Sequence, residues 1–198
     1  MQLQINIASH PLIQHWAGIL ENNNNPGTIL RTACSEIGKW ITYEIMREWL
    51  ITETLELKTN TTINLIDSNY KYIIVIIMPY GLILAEGARS LLPTANITLV
   101  NYNNVTNNVP DQLNSFTKIL ILDLFLDEEI ITPLLNDFIK KGAILNNIKI
   151  ACLECGTDQL TQLGKNWSQL EVYTTKINNN VNEANCSRED IFKNNFFV

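Results

Sequence analysis

Apolar residues along this chain change period twice, and each change marks a different kind of element. Residues 10–22, HPLIQHWAGILEN, place Leu12, Trp16, Ile19 and Leu20 on one helical face, and Pro11 suits a first helical turn. A turn follows at Asn25-Pro26-Gly27. The longest periodic stretch, 28–50, holds Ile29, Ala33, Ile37, Trp40, Ile41 and Ile45 in helical register, with Thr28 as the expected N-cap. Residues 51–59, ITETLELKT, alternate instead and predict a strand at a sheet edge, with room for a small edge hairpin.

Beyond a polar loop the pattern becomes short apolar runs separated by helical segments. Strands are predicted at 72–78 (YIIVIIM), 95–102, 117–123 (TKILILD), 147–155 (NIKIACLEC) and 170–177. Helices are predicted at 82–92, from about Glu128 to Lys141, and at 158–165. Continuous apolar strands alternating with helices imply an α/β fold, a mostly parallel sheet flanked by helices. We read one domain over 1–198: N-terminal helices at 10–50, an α/β core at 51–178 and a variable tail at 179–198. The two N-terminal helices fall outside the strand–helix rhythm, so their apolar faces must pack on the sheet or on another subunit.

Composition then narrows the function classes. The net charge is −6, and Lys140-Lys141 is the longest basic run, so nothing here favours nucleic acid or an anionic membrane surface. No apolar run approaches the length of a membrane span, and the N-terminus lacks the pattern of a secretory signal. Cys152 and Cys155 form a C-x-x-C, but no second ligand pair accompanies them, so they read as small buried strand residues. Asn makes up about one residue in eight, and Ile is similarly frequent. Both are favoured by AT-rich codons, which points to a compact genome such as a plastid's. We therefore expect a plastid-stromal or cytoplasmic chain that is not secreted. The tail ends in Phe196 and Phe197, an aromatic pair suited to docking on a partner or finishing the core.

Several segments together resemble one family. His10-Pro11-Leu12, then Arg31, Glu36, Tyr43-Glu44 and Arg47, are similar to the N-terminal helices of the uracil phosphoribosyltransferases. YGLILAEGARSLLPTANI (80–97), ILILD (119–123), KGA (141–143), NIKIACL (147–153) and LEVYT (170–174) continue in that family's order, over residues 10–178 in all. The resemblance implies a phosphoribosyltransferase-like fold and subunit association. Trp16, Trp40 and Trp49 are candidates for a homodimer contact or a contact with a protein partner.

The resemblance fails where it implies chemistry. In the family a strand delivers an Asp to a Pro-Met-Leu-Ala-Thr-Gly-Gly-Ser type of loop, whose amides receive the 5′-phosphate of phosphoribosyl pyrophosphate (PRPP) at a helix N-terminus. Here Asp123 and Leu126 match, but Leu124-Phe125 replace Pro-Met, and Asp127, Glu128, Glu129, Ile130 and Ile131 replace the glycine-containing part. A carboxylate about 5 Å from a phosphate charge costs about 3 kcal/mol at an effective dielectric near 20. The same acids complement the dipole of a helix that binds no phosphate. Pro79 stands where the family has its pyrophosphate-binding Arg, residues 103–114 carry no Arg or Lys, and no counterpart of the uracil-binding segment follows Asn182.

Two expectations follow. The favoured one is a catalytically silent homologue, with no catalytic residue, cofactor or metal, serving as an interaction or structural component of a larger organellar assembly, a photosynthetic one included. The alternative is an active uracil phosphoribosyltransferase of pyrimidine salvage, making UMP from uracil and PRPP with Mg²⁺ on the pyrophosphate. Asp123 is then a ribose or metal ligand; otherwise it has a capping role. Whether the altered pocket holds another small molecule is left open by the sequence.

Overall fold

The computed structural model describes residues 3–22, 24–57, 59, 61–101, 110 and 112–179. Phe196 and Phe197, Cys186 and the rest of the tail lie outside the described residues, as does most of 102–111. The elements run in the order β1 (Gln4–Ile7), α1 (Pro11–Leu20), α2 (Gly27–Trp49), β2 (Thr52–Glu56), β3 (Thr62–Ile66), β4 (Lys71–Met78), α3 (Gly81–Leu91), β5 (Asn96–Asn101), β6 (Thr117–Phe125), α4 (Glu128–Lys140), β7 (Ile148–Gly156), α5 (Thr157–Asn166), β8 (Glu171–Thr174) and β9 (Lys176–Asn178).

One sheet orders its strands β1-β8-β7-β6-β4-β5, with β9 paired to the end of β7, and every pairing in it is parallel. Each face is covered, which is why β4, β6 and β7 are apolar almost throughout. Ile74, Ile76, Leu120, Leu122, Ala151 and Leu153 face the layer of α1, α2 and α3. Val75, Ile77, Ile119, Ile121, Ile150 and Cys152 face α4 and α5. β2 and β3 form a separate antiparallel ribbon, the edge hairpin expected from the alternation.

The N-terminal helices bury their faces inside the molecule. α2 crosses α3 at van der Waals limit: a Cβ on Gly38 would lie 2.2 Å from the Leu84 carbonyl oxygen, and one on Gly87 1.9 Å from that of Ser35. Glycine at both positions lets the two backbones touch. α4 ends where Gly142 takes φ +98°, with Ala143 N–H returning to the Phe138 carbonyl at 2.9 Å.

Five details differ from the sequence expectation. The apolar stripes run through Ile13 and Leu30, leaving Leu12 and Ile29 exposed, because the true i, i+3, i+4 series starts one residue later in each helix. Pro26 occupies the N-cap of α2, and Thr28 lies in its first turn, already helical. β1 adds the N-terminus to the sheet beside β8, so the α/β core begins before residue 51. β3 lies in what reads as polar loop. The last strand divides at Thr175, because the Thr174 and Thr175 hydroxyls both donate to the Leu153 carbonyl, at 3.0 and 2.6 Å, and bend the chain there.

Candidate functional site

The C-terminal ends of β4, β6 and β7 meet at the β6–α4 turn, where the sequence places the phosphate-loop counterpart. β6 carries Asp123 into the interior at 1% exposure, and its Oδ1 accepts the Leu124 N–H at 2.8 Å. Leu124, Phe125 and Leu126 are buried, and Leu126 N–H donates to the Glu154 carbonyl at 3.1 Å, tying the turn to β7. Aliphatic burial thus fixes the segment that glycines would leave open.

The start of α4 is closed by the chain's own oxygens. A helix begins with four amides that have no partner within it. Here Glu128 N–H donates to Gln159 Oε1 at 2.8 Å, and Glu129 N–H to Asp127 Oδ1 at 3.1 Å. Ile130 and Ile131 N–H both reach the Asp127 carbonyl, at 3.3 and 3.0 Å. Asp127, with φ −123° and ψ 111°, is a regular capping residue, and the Thr132 hydroxyl donates to Glu128 Oε1 at 2.9 Å. Asp127 and Glu128 are half-buried and Glu129 is exposed.

At the β4–α3 turn, Met78–Pro79 is a cis peptide and Gly81 sits against β6, where a Cβ would lie 2.2 Å from the Leu122 carbonyl oxygen. Cys34, on the neighbouring face of α2, is 1% exposed; burial, with the Glu154 carboxylate adding, pushes its thiol up to about 12. Cys152 and Cys155 are buried in β7, their Sγ atoms donating to the Tyr173 and Lys176 carbonyls at 3.7 Å. Among the described residues, no group of three His, Cys, Asp or Glu side chains is arranged to hold a metal ion.

The other sequence candidates scatter. His10 caps α1, its Nδ1 accepting Leu12 N–H at 3.2 Å, and its ring stacks on Trp40 at 5.4 Å. Arg31 pairs with Glu86 across α2 and α3. Arg47 lies within 3.4 Å of Glu44 on the same helix. Trp16 and Trp40 are half-buried against the core. Trp49 is a correction: at 6% exposure, it is covered by the sheet and presents no contact surface.

Trp49 belongs to a cluster that sequence reasoning missed, at the opposite end of the sheet. Lys118 Nζ donates to the Trp49 carbonyl at 2.8 Å and lies 5.1 Å from its ring centroid. Lys149 Nζ lies 5.6 Å from the same ring and pairs with Glu171 at 2.8 Å and Tyr173 Oη at 3.2 Å. Burial, and then the charge of Lys149, push the Lys118 ammonium below its usual range. For Lys149 burial acts in the same direction, but the hydrogen bonds its ammonium donates to Glu171 and Tyr173 outweigh it and the value is raised. A lysine inside an apolar strand, as in TKILIL and NIKIAC, was the available signal.

The family model for uracil phosphoribosyltransferase matches residues 7–189. The chain belongs to the uracil phosphoribosyltransferase family. It is 82% identical over its whole length to a protein of Pyropia yezoensis named uracil phosphoribosyltransferase homolog, which it also covers completely. It is 32% identical to the uracil phosphoribosyltransferase of a Synechocystis strain, over 92% of this chain and 90% of that protein. The structure of AQ2163 protein from Aquifex aeolicus shares the fold, with a TM-score of 0.76 at 16% identity over 98% of this chain and 100% of that one. Family membership thus covers the scaffold and also the β6–α4 turn, where the acidic segment stands.

Proposed function

We propose that this member of the uracil phosphoribosyltransferase family has lost the transfer reaction and serves as a protein-interaction component, in the plastid stroma or the cytoplasm. One observation carries the reading: Gln159 and Asp127 occupy the N–H groups at the start of α4 that a 5′-phosphate would need. Binding would require breaking both contacts and placing a phosphate beside Asp127, Glu128 and Glu129. At about 3 kcal/mol per close like-charge pair, two such pairs weaken affinity by about four powers of ten. The aliphatic residues exposed on β2 and β3 support the interaction role. The chloroplastic label on an Arabidopsis thaliana relative at 29% identity, and the Asn and Ile bias, support the compartment. No helix among the described residues is long and apolar enough to cross a membrane.

The test is direct. Purified protein given labelled uracil, PRPP and Mg²⁺ is expected to yield no UMP above a no-protein control. Sustained UMP formation would overturn the reading.

The second reading, an active salvage enzyme, is favoured by the Synechocystis relative that bears the enzyme's name and aligns over nearly the whole chain. Mg²⁺ would then arrive on the pyrophosphate of the donor. This reading predicts PRPP-dependent thermal stabilisation worth about 3 kcal/mol at a hundredfold excess over Kd. The favoured reading predicts none.

A further inference from the structure

β1 is a sheet edge whose outer hydrogen-bonding groups are unused. Among the described residues it pairs with β8 alone. Gln4 N–H donates to the Leu170 carbonyl at 3.1 Å, and Ala8 N–H to that of Thr174 at 2.8 Å. Backbone groups alternate in direction along a strand, so residues 4, 6 and 8 face β8 while the N–H and C=O of Ile5 and Ile7 point away from the sheet. An open row of this kind is a template for one more strand.

The two faces beside this edge differ in chemistry. On one, α5 covers Leu3, whose Cβ would lie 3.3 Å from a Cβ on Gly164, but Ile5 and Ile7 further along the same face are 38% and 54% exposed. On the other, Asn6 and its neighbour Tyr173 border a cleft of about 450 Å³, completed by His10 and by Glu44, Arg47 and Glu48 of α2. Arg47 is shared by two carboxylates at long range, 3.4 Å from Glu44 and 4.0 Å from Glu48. Two carboxylates against one guanidinium leave the cleft one negative charge in excess. A strand laid along β1 would therefore set alternate side chains beside exposed isoleucines and beside an acidic cleft.

We infer that β1 is a docking edge for an extended segment of another protein, one in which aliphatic and basic residues alternate. The segment's backbone bonds to Ile5 and Ile7, its aliphatic side chains cover theirs, and a Lys or Arg enters the cleft between Glu44 and Glu48. Main-chain bonds supply the attachment, and the alternation supplies the choice of partner. The inference rests on reading the chain as an interaction component and names the chemistry of its partner. Its readout is peptide binding, so it can fail while the absence of UMP stands, and the reverse.

Fluorescence anisotropy with the full chain and the labelled probe Val-Lys-Val-Lys-Val provides the test. The probe is expected to bind at least about tenfold more tightly than Val-Glu-Val-Glu-Val, since like charges at the cleft repel. N-methylation of one alternate set of probe amides should abolish binding, and methylation of the other set should leave it, because only one set faces β1. Ile7→Pro removes an outward N–H without touching the bonds to β8, so it should lose binding while circular dichroism and Tm are kept. Glu44→Gln with Glu48→Gln keeps the edge and should erase the preference for the lysine probe. No binding of the lysine probe overturns the inference. So does binding that both methylated sets and Ile7→Pro leave unchanged, which would be ionic attachment alone, or a β1 edge taken up by a second copy, seen as a dimer that Ile7→Pro dissociates.

Discussion

The side-chain oxygen of Gln159 accepts the N–H of Glu128 at 2.8 Å, so α5 caps the helix that follows β6. Asp127 performs the same service one residue on, for Glu129. Removing an N-cap carboxylate typically costs about 1 kcal/mol. Asp127→Ala is therefore expected to lower Tm by about 2–4 °C in a chain of this size. Asp127→Asn, which keeps an acceptor oxygen, should lose much less. A calorimetric scan of the three proteins checks this; equal losses for Ala and Asn would mean that charge, and not the capping bond, is what matters at this turn.

The same turn shows what was legible in the sequence. Asp127, Glu128 and Glu129 before an apolar periodic segment already read as a self-capped helix, and the apolar runs of β4, β6 and β7 gave the parallel sheet. Gln159 was not legible: it lies 31 residues downstream, and only the docking of α5 beside α4 brings it to Glu128. Trp49 was misread as a surface anchor although it continues the buried series Ile41, Ile45 at i+4 spacing, which was the better guide. The hairpin is expected from the sequence but its second strand, β3, is not located there, because TTINLI sits in polar surroundings and gains its strand character only from pairing with β2. Lys118 and Lys149 needed three dimensions, since their aromatic neighbours come from α2, β8 and the segment before β4.

Helix crossing supplies a second prediction. Gly87 faces the Ser35 carbonyl oxygen so closely that a methyl carbon would lie 1.9 Å away, and the obstacle is backbone. Gly87→Ala must push α3 off α2. Overpacking of this kind costs about 1–3 kcal/mol and more when backbone has to move, so we expect a loss of at least about 3 kcal/mol in urea unfolding. Gly18→Ala, with open space around it, serves as control and should be neutral or stabilising.

Thr42 offers a change in the other direction. It is 0% exposed in α2, and its hydroxyl has no hydrogen-bond partner. A buried hydroxyl without a partner carries its full desolvation cost of about 1–3 kcal/mol. Thr42→Val keeps the branched shape and removes the polar atom, so a gain of about 1 kcal/mol is expected. Chemical denaturation at constant m-value measures it; a loss would show that the hydroxyl is satisfied in solution.

Burial also sets the reactivity of Cys34. Its thiol is pushed from an ordinary 9.0 up to about 12, first by burial and then by the Glu154 carboxylate. Each unit is tenfold in thiolate, so at pH 8 the folded chain holds about a thousandfold less Cys34 thiolate than the unfolded one. Alkylation by iodoacetamide, read by mass spectrometry of the Cys34 peptide, should be slower by about that factor in native protein than in urea. The linkage has a definite sign. A folded-state value raised above the unfolded one leaves stability intact below pH 9 and erodes it as pH climbs toward 12. Cys34→Ala and Cys34→Ser both remove the titrating thiol, so in either variant the slope of unfolding free energy against pH between 9 and 11 should fall by the contribution of one proton, whatever the substitution does to overall stability.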